Sequence, residues 1–259
     1  MRLGVAYNFF NSEEHLLPSL RSVRDTVDYI VIVYQTISNS GEPSSEAARS
    51  VVEAALSSKL ADVAIEYTPD FDLSRQANEL QKRKQGLTFC RHAGCSHFLS
   101  MDADEFYRQR ELEYAKSTIA QRRLSRTTVS SFFHLKRPVY RAFDTTNVPF
   151  ICLINLFTRL GVSGYPVPMV DPTRTVSTVP RRHMHFNPEN VAMYHMNLVR
   201  KNFGSKLRNS STTDINFLNL VERRIEEWTW PEPFDFPNKQ QFNFDLVENE
   251  FATYDPNDG

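Results

Sequence analysis

His97-Phe-Leu-Ser-Met-Asp-Ala-Asp-Glu-Phe-Tyr107 is the stretch whose reading decides the fold. Residues 98–101 form a short apolar run after the breaker Gly94, the pattern of a buried strand. The run passes directly into three carboxylates, Asp102, Asp104 and Glu105. Acids at the mouth of a buried strand are costly unless a positive group neutralises them. A divalent cation carrying a phosphorylated ligand does this, because hard oxygen donors suit Mg²⁺ or Mn²⁺. On a strand-like backbone Asp102 and Asp104 point to one side and Ala103 to the other. One acid can then hold the metal while its neighbour takes a sugar hydroxyl or a metal-bound water. The competing reading is a helix N-terminus whose acids complement the dipole.

Working outward, strands are expected at residues 3–7, 29–34 and 63–67. Helices are expected from Ser12 to near Asp25, from Ser45 to about Leu60 and from Ser74 to about Thr88. Such alternation predicts an α/β fold with a mostly parallel sheet and helices on both faces. Ligands in these sheets lie beyond the carboxyl ends of the strands. Tyr7-Asn8, Tyr34-Gln35-Thr36 and Asp102-Ala103-Asp104 should therefore surround one pocket.

After the acids the pattern changes. Residues 108–126 read as a charged helix, 128–134 and 148–158 as strands, and 161–180 as a Pro- and Gly-punctuated loop. A strand at 191–194 and a helix over 205–228 follow, and an acidic tail from Pro231 either wraps over the surface or stays mobile. The division expected is 1–107, ending in the acid motif, 108–230 as a second half, and 231–259 as tail, within one continuous fold.

A chain of 259 residues with 41% hydrophobic content can bury a sizeable core. Its net charge of −1 argues against a nucleic-acid surface. Three cysteines, Cys90, Cys95 and Cys152, are too few for a disulfide framework or zinc knuckle, and Cys90 and Cys95 read as small buried hydrophobes at a helix end. No signal-peptide pattern opens the sequence and no run approaches the roughly 18 apolar residues of a transmembrane segment, so a cytoplasmic protein is expected.

Three blocks resemble glycosyltransferases of the GT-A type, close to the family 2-like nucleotide-sugar enzymes. The first is Val5-Ala-Tyr-Asn-Phe-Phe-Asn-Ser-Glu-Glu14 with Leu20-Arg-Ser-Val23 and Val27-Asp-Tyr-Ile-Val-Ile-Val33. The second is Arg75-Gln-Ala-Asn78 ahead of the Asp-x-Asp block itself. The third is Tyr194-His-Met-Asn-Leu-Val-Arg200 with Lys206, similar to a segment that closes over a diphosphate. The resemblance implies a Rossmann-like GT-A fold and a metal-dependent transfer from a nucleoside-diphosphate sugar to a carbohydrate acceptor. One departure is Tyr34-Gln35-Thr36, where many relatives carry an acidic turn, so the choice of nucleotide stays open.

Displacing a nucleoside diphosphate builds negative charge on the leaving group, which a cation and Arg or Lys stabilise. The expected metal ligands are Asp104, Asp102 and His195, with His183 and His185 as competitors. Donor-binding candidates are Tyr7 by stacking, Asn8, Tyr34, Arg75, Lys82, Asp102, Arg200 and Lys206. Inversion also needs a general base. Asp171 is the first candidate, with Asp144 and Glu105 as alternatives; a retaining enzyme needs none. Tyr140, Phe143, Tyr165, Trp228 and Trp230 are candidates for a sugar-stacking platform or, more plainly, for core. Two other functions compete: a nucleotidyltransferase and a non-catalytic nucleotide-sugar or glycan-binding module. The first calls for a Gly-rich phosphate loop, and Asn8-Phe9-Phe10-Asn11 has no glycine.

Overall fold

The computed structural model describes residues 1–163, 165–169, 171–201, 204, 214–237 and 240–257. Its first half alternates as expected: β1 (Leu3–Phe9), α1 (Glu13–Arg24), β2 (Tyr29–Tyr34), α2 (Ala47–Ser57), β3 (Val63–Glu66), α3 (Arg75–His92) and β4 (His97–Asp102). β5 (Glu105–Phe106), α4 (Gln109–Arg122), β6 (Arg126–Leu135) and β7 (Tyr140–Leu153) follow. The remaining elements are β8 (Arg159–Leu160), β9 (Val176–Ser177), β10 (His183–His185), β11 (Ala192–Leu198), α5 (Ile215–Glu227), β12 (Phe234–Asp235), β13 (Gln241–Phe242) and β14 (Asp245–Leu246).

One ten-stranded sheet runs in the order β3-β2-β1-β4-β7-β6-β11-β5, with β10 beside β6 and β14 beside β7. β7 and β5 run against the other strands, so the sheet is mostly parallel and the architecture is a Rossmann-like α/β fold. The period-two alternation of β1 explains its two layers. Leu3, Val5, Tyr7 and Phe9 enter a core with Leu16, Leu20 and Val23 of α1 and Leu112, Ala115 and Ile119 of α4. Ala6 points the other way, into a second core with Val31, Val33, Phe98, Leu87 and Cys90.

That second layer needs close approach. A methyl group on Gly86 of α3 would lie 2.3 Å from Cβ of Ala6, and one on Gly4 would lie 2.8 Å from the sulfurs of both Cys90 and Cys95. The cysteines are free and buried, filling the space that Gly4 leaves.

The second half departs from expectation. β7 is Tyr140–Leu153 rather than 148–158, because it pairs along β6 in a long antiparallel hairpin. Asn155 ends it in a turn closed by Thr158 Oγ1, which accepts from the Asn155 amide at 2.8 Å. β11 continues to Leu198, beyond the expected 191–194. α5 begins at Ile215, where Asp214 accepts from the Asn216 and Phe217 amides, while residues 205–213 of the expected helix lie outside the described residues. The described tail wraps back onto the sheet: β14 pairs with β7, and Asp255 takes a two-pronged bond from Arg137 at 2.8 Å.

Gly86→Ala should destabilise the fold by about 1–3 kcal/mol, because the overlap with Ala6 outweighs the roughly 1 kcal/mol gain in helix propensity. A urea titration checks this; an unchanged or higher midpoint would contradict the close packing.

Candidate active site

β2 lies on one side of β1 and β4 on the other, so the strand order reverses at β1, the kind of switch point at which open α/β sheets take ligands in a crevice beyond the carboxyl ends of the strands. Asn8 and Asp102 are register partners at this edge. Ser100 and Asp102 alternate with Leu99 and Met101 and so face α3.

Two buried guanidinium groups meet the acids there. Arg83 of α3 is 2% exposed and bonds Ser100 Oγ at 2.7 Å, Asp102 at 3.1 Å, Asp171 at 3.2 Å and Glu79 at 3.0 Å. Arg174 ends a 3-10 turn, Pro172–Arg174. It donates to Asp102 Oδ2 at 2.5 Å and to both oxygens of Glu105, at 2.6 and 3.0 Å. Burial opposes the charge on each arginine, but the surrounding carboxylates win and raise both guanidinium pKa values above the ordinary range. Burial likewise pushes the Glu105 pKa up, against the opposing charge and paired bonds of Arg174.

Asp104 belongs to a different group. β4 ends at Asp102, so the strand alternation expected to align the two acids stops before Asp104. Its Oδ2 pairs with Arg200, and its Oδ1 lies 3.7 Å from His195 Nε2. Arg200 also donates to Ser12 Oγ at 2.6 Å and to the Asn11 carbonyl at 3.0 Å, tying the loop after β1 to the segment after β11. His15 lies beneath, between Thr253 Oγ1 at 2.7 Å and the Val199 carbonyl at 2.5 Å. Burial first, then the charge of Arg200, lowers its pKa to about 4.

The expected donor residues separate accordingly. Asn8 donates to Glu79 at 2.9 Å, and its buried Oδ1 has no hydrogen-bond partner among the described residues. Lys82 is buried, 3.5 Å from Glu79, and so stands on the α3 wall of the crevice. Asn39, in the loop after β2, donates to the Arg75 carbonyl at 3.4 Å. Tyr7 is misplaced by the stacking expectation: it lies on the α1 side of the sheet, fully buried, with its hydroxyl 3.1 Å from Ser19 Oγ. Tyr34 also turns away, its hydroxyl donating to Glu66 at the β2–β3 edge. Lys206 lies outside the described residues.

Asp171 joins the arginine cluster rather than standing apart as a base. Its Oδ1 accepts from the Thr173 amide and hydroxyl at 2.8 and 2.6 Å, and its Oδ2 faces Arg83 and Arg174. Burial raises its pKa, but Arg83 and Arg174 more than reverse that and hold the carboxyl below its usual range. A carboxylate so held is a weak proton acceptor. Asp144 instead accepts from the Thr146 amide and hydroxyl at 2.9 and 2.7 Å, and Glu105 is taken up by Arg174. His183 and His185 turn to Thr128 Oγ1, at 3.1 and 3.0 Å.

Sequence reasoning did not single out Arg83 and Arg174. Arg83 sits on the buried stripe of α3 that also carries Asn78, Gly86, Leu87 and Cys90. A cation in register with a glycine and a cysteine was the available signal. Arg174 gave none beyond lying three residues after Asp171.

Among the described residues no group of three or more His, Cys, Asp or Glu side chains is placed to hold a metal. Asp104 Oδ1 and His195 Nε2, 3.7 Å apart, are the two expected ligands that lie together. Two protein donors suit an ion whose remaining positions are filled by water and phosphate oxygens. Asp102, the third expected ligand, is turned to the arginines instead.

No family model matches the chain, and no curated protein matches it. Solved structures of S. aureus TarS are similar to it at low identity. A 1–349 segment of TarS is 10% identical with a TM-score of 0.47, over 81% of this chain and 69% of that one. The same segment in complex with UDP is 15% identical with a TM-score of 0.40, over 52% of this chain and 36% of that one. In complex with UDP-GlcNAc the figures are 15%, 0.39, 52% and 35%. The chain spans 22% of the length of a further S. aureus TarS structure and about a third of the length of the UDP and UDP-GlcNAc complexes.

Arg174→Met should cost about 3–5 kcal/mol, since it strands a buried carboxylate. Adding Glu105→Gln should recover part of that loss in a denaturation double-mutant cycle; strictly additive losses would contradict the pairing. His15, and His134 with a pKa lowered to about 3, bind fewer protons folded than unfolded below pH 6.5. Stability from their neutral forms is therefore complete above about pH 6.5 and is lost as pH falls toward 4. The urea midpoint should drop between pH 7 and pH 5, and less so in His15→Gln; a flat profile would contradict these two buried neutral histidines.

Proposed function

We propose that this chain is a glycosyltransferase that moves a sugar from a nucleoside-diphosphate sugar to a hydroxyl group of a glycan or other acceptor. The observation that carries the proposal is the strand-order reversal at β1, with Asn8 and Asp102 in register at the crevice and Arg83 and Arg174 facing them. Crevices of this kind receive nucleotides, and fixed guanidinium groups match phosphate oxygens. Asp102, about a third exposed, offers its outer face to ribose or sugar hydroxyls.

Charge bookkeeping favours a metal partner for the donor. Glu79, Asp102, Asp104, Glu105 and Asp171 face Lys82, Arg83, Arg174 and Arg200, one negative charge in excess. A diphosphate entering alone meets that excess; a diphosphate carrying Mn²⁺ or Mg²⁺ offsets it. Asp104 and His195 would hold the ion, which would supply Lewis-acid neutralisation of the leaving diphosphate. Arg200 fixes Asp104 from behind and joins the loop after β1 to the acid pair. Arg83 and Arg174, positioned by Asp171 and Glu105, meet the charge that develops on the leaving group.

A melting-temperature screen against UDP, GDP, CDP and dTDP, with and without Mn²⁺, tests this. One nucleotide should raise Tm by several degrees, with the larger part needing Mn²⁺. Asp104→Asn should remove the Mn²⁺-dependent part and, because it takes the carboxylate from buried Arg200, lower the Tm measured without ligand. The absence of a shift with every nucleotide would overturn the proposal, and an Mn²⁺ effect unaffected by Asp104→Asn would move the metal elsewhere.

A further inference from the structure

A cavity of about 490 Å³ opens between the β6–β7 turn, the end of α5 and the tail, lined by Tyr140, Trp228, Trp230, Lys136, Arg137 and Arg200 among others. This is within the size range of small-ligand sites. Its aromatic walls are held by their own hydrogen bonds. The Trp228 indole donates to the Glu232 carbonyl at 2.7 Å and the Trp230 indole to the Phe244 carbonyl at 3.3 Å. Tyr140 and Trp230 lie 8° from parallel with ring centroids 6.1 Å apart, and Trp228 meets Tyr140 edge-on at 83°. Trp230 keeps 40% of its surface exposed, although a core of aromatic and aliphatic side chains lies beside it. With both indole N–H groups already used, the rings offer faces and edges rather than donors. Such surfaces suit the C–H faces of sugar rings.

The charges in the wall argue for a neutral occupant. Arg137 is paired with Asp255, and Arg200 with Asp104. Lys136 donates to the Glu226 and Trp228 carbonyls, both at 2.7 Å. Two of the three cations are thus paired with carboxylates and the third is occupied by backbone carbonyls, an arrangement that suits a neutral occupant better than an acidic one.

Arg200 connects this cavity to the acids. It forms part of the lining and, through its guanidinium group, holds Asp104. We infer that the cavity is a binding site for a neutral saccharide, with Trp230 and Tyr140 as its stacking walls, and that it holds the acceptor beside the donor site. Calling the occupant the acceptor rests on the glycosyltransferase proposal; saccharide binding itself does not.

The chain contains two tryptophans, and both line this cavity, so intrinsic fluorescence reports on it directly. The titrants are maltotetraose, cellotetraose and chitotetraose as neutral probes, a heparin tetrasaccharide as an acidic one, and UDP. At least one neutral probe should give a saturable change that Trp230→Ala weakens by tenfold or more and Trp230→Phe weakens less. Neither variant should alter the Mn²⁺-dependent Tm shift produced by a nucleoside diphosphate. No response to any neutral probe, a response to heparin or UDP alone, or unchanged affinity in Trp230→Ala would overturn the inference. Saccharide binding in a protein with no nucleotide-dependent Tm shift would uphold the subsite and remove the transferase proposal. A nucleotide shift without saccharide binding would do the reverse.

Discussion

Two buried arginines sharing a set of carboxylates are the interaction on which the rest of the site depends. Removing a guanidinium group from water costs several kcal/mol, which only well-placed carboxylates offset. Arg83 and Arg174 are offset by Glu79, Asp102, Glu105 and Asp171, which come from α3, the end of β4, the start of β5 and the loop before Arg174. The shared charges draw four separate segments to one edge of the sheet. The loop carrying Asp171 and Arg174 has little regular structure, and these bonds are what fix it against α3.

Asp104 plays the corresponding part on the other side of the β4 turn. Its pairing with Arg200 links the loop after β1, the acids and the end of β11, while His15 stays neutral underneath because burial and Arg200 both disfavour its charge. The two acids of one short motif thus act in different groups. One belongs with the fixed arginines, and the other is paired with Arg200 and lies 3.7 Å from His195.

The first half of the fold was legible because β1, β2 and β4 are apolar on both faces and α1 carries leucines at helical spacing. Cys90 and Cys95 were legible as packing residues for the same reason. Tyr7 was misread because residues 3, 5, 7 and 9 of β1 all face the α1 side, opposite Asp102, and only the register with β4 reveals which set is which. Asp104 was misaligned because the strand ends two residues before it. β7 was misplaced because its first part, with Arg141, Asp144 and Asn147, takes its strand form from pairing with β6 rather than from its own hydrophobicity. Arg83 was hidden in a Lys-Arg-Lys run that reads as a solvated face, though the stripe of α3 turns it inward.

A crystal structure of the protein grown with Mn²⁺ and the nucleoside diphosphate that raises its Tm most tests the central claim directly. The account predicts density for the diphosphate beyond the ends of β1 and β4, against Arg83 and Arg174, with the ion between Asp104 and His195. A nucleotide bound elsewhere, or one that leaves Asp102, Asp104 and both arginines without contact, would contradict it.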